Sequence, residues 1–181
     1  MLALTHLIGF GKLVGPSAFV PGAFDYANPG GSGDRTGGGT GGITITATVA
    51  TSAGVFTTLI NGSSTDLSFS FASSGSNPNG VYIKFQFTDG KKKSMDQFAW
   101  KHGSNVTQGT WDMQGSLDDV TYNMIKTSWG INDAGSSDNV VSVDSGGELV
   151  EFRYLKMTKI GSTTSSTPRE QEVRFRIRDM E

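Results

Sequence analysis

Trp111-Asp-Met-Gln-Gly-Ser-Leu-Asp-Asp-Val-Thr-Tyr122, answered after a polar gap by Phe152-Arg-Tyr-Leu155, is the stretch on which the fold turns. Trp111, Met113 and Gly115 alternate with polar Asp112 and Gln114, the period-two spacing of a strand with one buried face. Ser116-Leu-Asp-Asp119 has turn chemistry, since Ser and Asp side chains hydrogen-bond nearby backbone and tolerate tight conformations. A second aromatic, Tyr122, then opens a returning strand. Phe152 to Leu155 supplies a later aromatic and basic strand.

The same alternation extends outward in both directions. Ile43, Ile45, Ala47 and Val49 alternate with Thr44, Thr46 and Thr48, and β-branched residues favour a pleated surface. It recurs at Leu67-Ser-Phe-Ser-Phe71, at Val81-Tyr-Ile-Lys-Phe-Gln-Phe87 and at Val173-Arg-Phe-Arg-Ile-Arg178. Turn pairs bound these runs: Asn61-Gly62, Asn77-Pro-Asn-Gly80 and Asp89-Gly90. No window of a dozen residues combines helical spacing with a capping signal, so helix is confined to a turn or two. The expectation is an all-β fold, an antiparallel two-sheet jelly-roll sandwich over residues 43–181, with no internal repeat.

Residues 1–42 are of a different kind. They hold twelve of the 25 glycines, and Asn28 to Gly42 is nearly free of apolar side chains, so the segment has no core of its own. Its apolar residues, among them Leu4, Leu7, Ile8, Phe10, Phe19 and Phe24, need a surface supplied from elsewhere. The segment is read as an extended Gly-rich N-terminal arm that attaches the domain to a partner. The opening residues lack the charged and long apolar stretches of a secretory signal or a membrane span.

Composition narrows the function. A net charge of −2 and a pI near 5.7 offer no basic field for phosphates, which argues against nucleic acid. The basic run Lys91-Lys92-Lys93 follows Asp89-Gly90 and reads as a solvated hairpin or loop. With no cysteine and two histidines, His6 and His102, far apart, no zinc site or thiol chemistry is expected. No Gly-Xaa-Ser-Xaa-Gly elbow is present, and the glycine-rich arm lacks the ending of a phosphate loop. The carboxylate pairs Asp118/Asp119 and Asp133/Asp138 suit turns better than the facing acids of a glycosidase. The chain is read as non-catalytic.

Taken in order, Leu59-Ile-Asn-Gly-Ser-Ser-Thr-Asp66, Val81 to Phe87, Met95-Asp-Gln-Phe-Ala-Trp100, Gly115-Ser-Leu-Asp-Asp-Val120, Glu151-Phe-Arg-Tyr-Leu-Lys156 and Glu170 to Ile177 resemble the galactose-binding-like jelly roll of discoidin and coagulation-factor type C modules. The resemblance spans roughly residues 43–178 in short pieces. Two departures stand out. Asn61 replaces an Asp common in that group, which leaves calcium possible but unsupported and no other cofactor implied. Asp119 replaces the usual turn glycine. Met1-Leu-Ala-Leu-Thr-His-Leu-Ile-Gly-Phe10 and Lys101 to Trp111 also resemble small virion proteins of tailed bacteriophages. That second resemblance implies a virion structural protein, one copy of a homo-oligomeric assembly, held to other virion proteins by the arm.

The jelly-roll resemblance implies carbohydrate binding through loops at one rim, where an aromatic face and a few planar polar groups hold a sugar. Trp129, in the loop-like Thr127-Ser-Trp-Gly130, and Tyr122 are the candidate platform, with Asn123, Asp133 and Arg153 as polar partners and host-surface glycan as the ligand. For Trp129 a core position is an equal alternative. Phe98, Trp100, Trp111 and Tyr154 are expected to pack between the sheets. Arg174, Arg176 and Arg178 form either a solvent-facing row protecting an edge strand or a charged interface with a neighbouring subunit.

Overall fold

In a computed structural model the described residues are 42–48, 54–60, 79–102, 109–130, 138–143, 150–161 and 170–180. Eight strands occur among them: β1 (Ile43–Ala47), β2 (Tyr82–Phe87), β3 (Lys92–His102), β4 (Thr110–Ser116), β5 (Asn123–Gly130), β6 (Asp138–Ser142), β7 (Tyr154–Gly161) and β8 (Glu170–Met180). They form a five-stranded sheet in the order β1-β2-β7-β4-β5 and a three-stranded sheet in the order β6-β3-β8, with every pairing antiparallel. The jelly-roll expectation is met. The expected strand at 67–71 and the Asn61-Gly62 turn lie outside the described residues. Among the described residues helix is limited to one 3-10 segment, Phe56–Ile60, whose buried Leu59 and Ile60 pack toward β8 and β1.

Alternation does the packing. In β2, Ile83, Phe85 and Phe87 face inward while Tyr82, Lys84 and Gln86 face out, and β7 repeats this with Leu155 and Met157 inward. Phe175 of β8 joins the two sheets. Its ring meets Phe85 at 5.0 Å and Phe87 at 5.7 Å on the facing sheet, and Phe98 at 5.5 Å in its own. Edge-on and tilted aromatic contacts of this kind add to the burial itself. Trp100 and Trp111 are fully enclosed, as their strand positions require.

Strict parity would have turned half of β3 outward. Lys93 and Met95 face inward, as do Phe98 and Trp100, three and five residues beyond Met95. A bulge reconciles them: Met95 pairs with Ile177 and Gln97 with Arg176, leaving Asp96 as the extra residue. Asp96 then receives a forked pair from Arg176, with Nε 2.6 Å and Nη2 2.5 Å from its two oxygens. Among the described strands β8 lies at the edge of the three-stranded sheet.

Two expectations fail here. Lys91-Lys92-Lys93 is not a solvated loop: Lys92 starts β3 and Lys93 is fully buried, its ammonium held between Asp89 and Asp179. The alternation of β3 begins inside the lysine run, so one of the three must point inward. Tyr154 is not a core residue either. It occupies the outward parity of β7, because Leu155 takes the inward place.

Consecutive strands run up and down, so the connections sort to two ends. Residues 88–91, 117–122 and 143–153 join strands at one end, where Ile43 and Met180 also lie. There the two sheets are tied by a backbone bridge between Lys93 and Phe152, with N···O distances of 2.7 and 2.9 Å. The connections over 48–81, 103–109, 131–137 and 162–169 all leave from the opposite end. We refer to these as the terminal end and the loop-bearing end.

Candidate functional site

The expected carbohydrate platform is divided by β5. Tyr122 and Asn123 enter that strand at the terminal end, whereas Trp129 leaves it beside Trp111 and Thr110 at the loop-bearing end. Six residues of extended chain separate Tyr122 from Trp129, about 20 Å. Trp129 is also only 5 % exposed, its ring edge-on to Phe98 at 5.4 Å. It therefore has no free face for stacking, and its role as a platform is corrected to that of a core plug. Asp133 lies outside the described residues, as do Leu4, Leu7, Ile8, Phe10, Phe19 and Phe24.

Arg153 does join Tyr122 and Asn123. Its backbone N donates to Ser116 O at 2.7 Å and its carbonyl accepts from Phe87 N at 2.9 Å, while its side chain is exposed. The turn beside it is built from side chains. Ser116 Oγ donates to Asp118 Oδ1 and accepts from the amides of Asp118 and Asp119, and Asp118 Oδ1 accepts from the amides of Val120 and Thr121. The Thr121 and Val120 amides, with Ser116, hold the Asp118 carboxyl below the usual carboxylate range. Asp119 adopts φ 63°, the left-handed conformation that a glycine would take without strain. The departure from the family turn falls on the one residue that needs that conformation.

Asp119 has a second occupation. Its Oδ2 lies 2.6 Å from Lys84 Nζ, and its Oδ1 accepts from the Tyr122 hydroxyl. Burial in the first place, and then Asp119, push the Tyr122 phenol up, so it stays a donor. Across the ladder Lys84 pairs with Lys156, and Lys156 with Gln114. Lys156 Nζ sits 3.6 Å from the centre of the Tyr122 ring, and Lys84 Nζ lies 5.8 Å from that of Tyr154. The outer face of the five-stranded sheet is thus a polar and aromatic surface. Tyr122 is legible in the sequence but its contact with Lys156 is not, although the outward parity of Lys84 and Lys156 shows in their strands.

At the loop-bearing end the described residues show two buried polar groups. Lys159, opposite Trp111 on β4, takes an inward position and is 2 % exposed. Its Nζ reaches Asn79 Oδ1 at 3.3 Å, and burial lowers its basicity. Trp129 Nε1 is buried without an acceptor among the described residues. Such groups are costly in an apolar interior. Among the described residues no three His, Asp or Glu side chains gather where a metal ion would sit.

No protein-family model matches the chain, and no curated protein sequence matches it. Solved structures do. A family 32 carbohydrate-binding module from Clostridium perfringens NanJ, in complex with galactose, matches with a TM-score of 0.56 and 11% identity over 75% of this chain and 93% of that one. The fold is that of the family 32 carbohydrate-binding modules. The module of AlyQ, in complex with 4,5-unsaturated mannuronic acid, matches this jelly roll with a TM-score of 0.54 and 18% identity over 73% of this chain and 92% of that one. The C-terminal domain of a chitobiase from Bacteroides fragilis gives 0.60 and 14%, over 77% and 95% respectively.

Proposed function

We propose that this chain is a non-catalytic glycan-binding module whose ligand is taken at the loop-bearing end. The observation that supports the reading is the extent of the fold match: nearly the whole of single modules solved with sugars is covered, with no segment left over for a separate catalytic architecture in those modules. The loop-bearing end suits a ligand because four connections leave it and because the Lys159 ammonium has only the Asn79 amide as a partner there among the described residues. Buried donors with too few acceptors are the groups that a polyhydroxylated ligand can satisfy. Asp133, which the sequence places between β5 and β6, is kept as the proposed polar contact for the sugar.

The test is a glycan array with the full chain, followed by titration calorimetry on the sugars retained. Selective retention of galactose-type or related glycans is expected, with Asp133→Ala losing it while the circular dichroism spectrum is unchanged. Uniform background across the array would overturn the proposal. A virion setting, in which residues 1–42 attach the module to other virion proteins or to further copies, rests on the sequence resemblance alone. Loss of particle incorporation on deletion of residues 1–40 is its test.

A further inference from the structure

The outer face of the five-stranded sheet carries an electrostatic imbalance that the fold does not need. Lys84 and Lys156 are directly opposite across β2 and β7, and like charges so placed repel. One carboxylate, Asp119, answers both, and its ion pair goes to Lys84. Among the described residues no carboxylate lies within ion-pair distance of Lys156; its ammonium rests on the Tyr122 ring instead. Asp112, the other acid on the outward positions of β4, is engaged by the Ser128 amide at 3.0 Å. Lys84 and Lys156 thus share one nearby carboxylate, and Lys156, partly removed from water so that burial lowers its basicity, has no carboxylate in direct contact among the described residues. Tyr82 and Tyr154, with Gln86 and Gln114, occupy the neighbouring outward positions on β2, β7 and β4.

We propose that this face is a second saccharide site, separate from the loop-bearing end, and that it takes an acidic sugar of the uronate class. The carboxylate of the sugar pairs with Lys156, supplying the counter-charge that the protein withholds. The side-chain amides of Gln86 and Gln114 meet ring hydroxyls, and the tyrosines offer aromatic edges. The inference extends the glycan-binding reading by naming a ligand class, but it rests on different residues, so either can fail alone.

The experiment titrates the full chain, by calorimetry and by amide chemical shifts, with oligogalacturonate, with the same oligomer methyl-esterified, and with dextran sulfate. Expected are binding of the acid, at least tenfold weaker binding of the ester, and shifts centred on Lys156, Tyr154 and Gln114. Lys156→Gln should weaken the acid by roughly tenfold, the loss of one charge-assisted contact, and Lys156→Arg should restore most of it. Asp133→Ala should leave acid binding intact while abolishing that of neutral glycan. Ester bound as tightly as acid, dextran sulfate displacing the acid regardless of Lys156, or shifts confined to the loop-bearing end would each overturn the proposal. The shift map on the unaltered chain decides the matter even if the Lys156 variants fold poorly.

Discussion

Each end of the sandwich buries a lysine, and the two are treated oppositely. At the terminal end Lys93 lies between Asp89 and Asp179, so its charge is answered twice. At the loop-bearing end Lys159 has one neutral amide partner, Asn79, at 3.3 Å. A buried ammonium with two carboxylates is a structural clamp, whereas one with a single carbonyl has hydrogen-bonding capacity left over. The comparison teaches that one end holds the sheets together while the other keeps polar groups in reserve. The glycan site proposed above is at the second.

The sharpest way to break this contrast is to remove each charge in turn. Lys93→Met takes the ammonium away from Asp89, whose side chain is 5% exposed, and should cost about 3 kcal/mol in urea unfolding, the penalty for halving a buried pair. Next in size is Gly115→Ala at the same end. An added Cβ would stand 2.9 Å from Ile125 Cδ1, 3.0 Å from Phe152 Cβ and 3.1 Å from Val150 Cγ1, and overpacking of that kind costs about 2 kcal/mol. Asp119→Ala should lose about 1 kcal/mol, since alanine tolerates φ 63° poorly and gives up the contacts to Lys84 and Tyr122. Asp119→Gly should recover part of that loss.

Lys159→Met should have the smallest effect on stability, under about 1 kcal/mol, because an apolar chain of similar length replaces an underpaired charge. Its signature is in pH. Burial holds the folded-state value of Lys159 below its ordinary 10.5, so between the two values the unfolded chain carries the extra proton. Stability rises with pH across that window, and Lys159→Met should flatten the rise in urea midpoints measured upward from pH 8. Equal losses from Lys93→Met and Lys159→Met would erase the distinction between the ends.

Much of the scaffold was legible because strand alternation is local. Val81 to Phe87 and Val173 to Arg178 show in their own order which residues meet the core. The turn after Ser116 was legible too, down to Asp119 as the substitute for a glycine. Lys93 was missed because a basic triplet reads as solvated until a strand is known to begin inside it, and because Asp179, one of its two partners, lies 86 residues away. The aromatic platform was misplaced for a related reason: residues seven apart on one strand stand at opposite ends of a sheet, while Tyr122 meets Lys156 from a distant strand.

By itself the amino-acid order determined that this chain makes paired sheets with little helix, where its tight turns fall, and that it contains no thiol or clustered histidine chemistry. Only the tertiary structure decided which end is closed by charge, that Trp129 is enclosed, and that Lys156 and Lys159, among the described residues, have no carboxylate partner. The reason is range. Backbone period and turn preference act over a few residues, whereas ion pairing and burial depend on which strands the sheet order brings side by side.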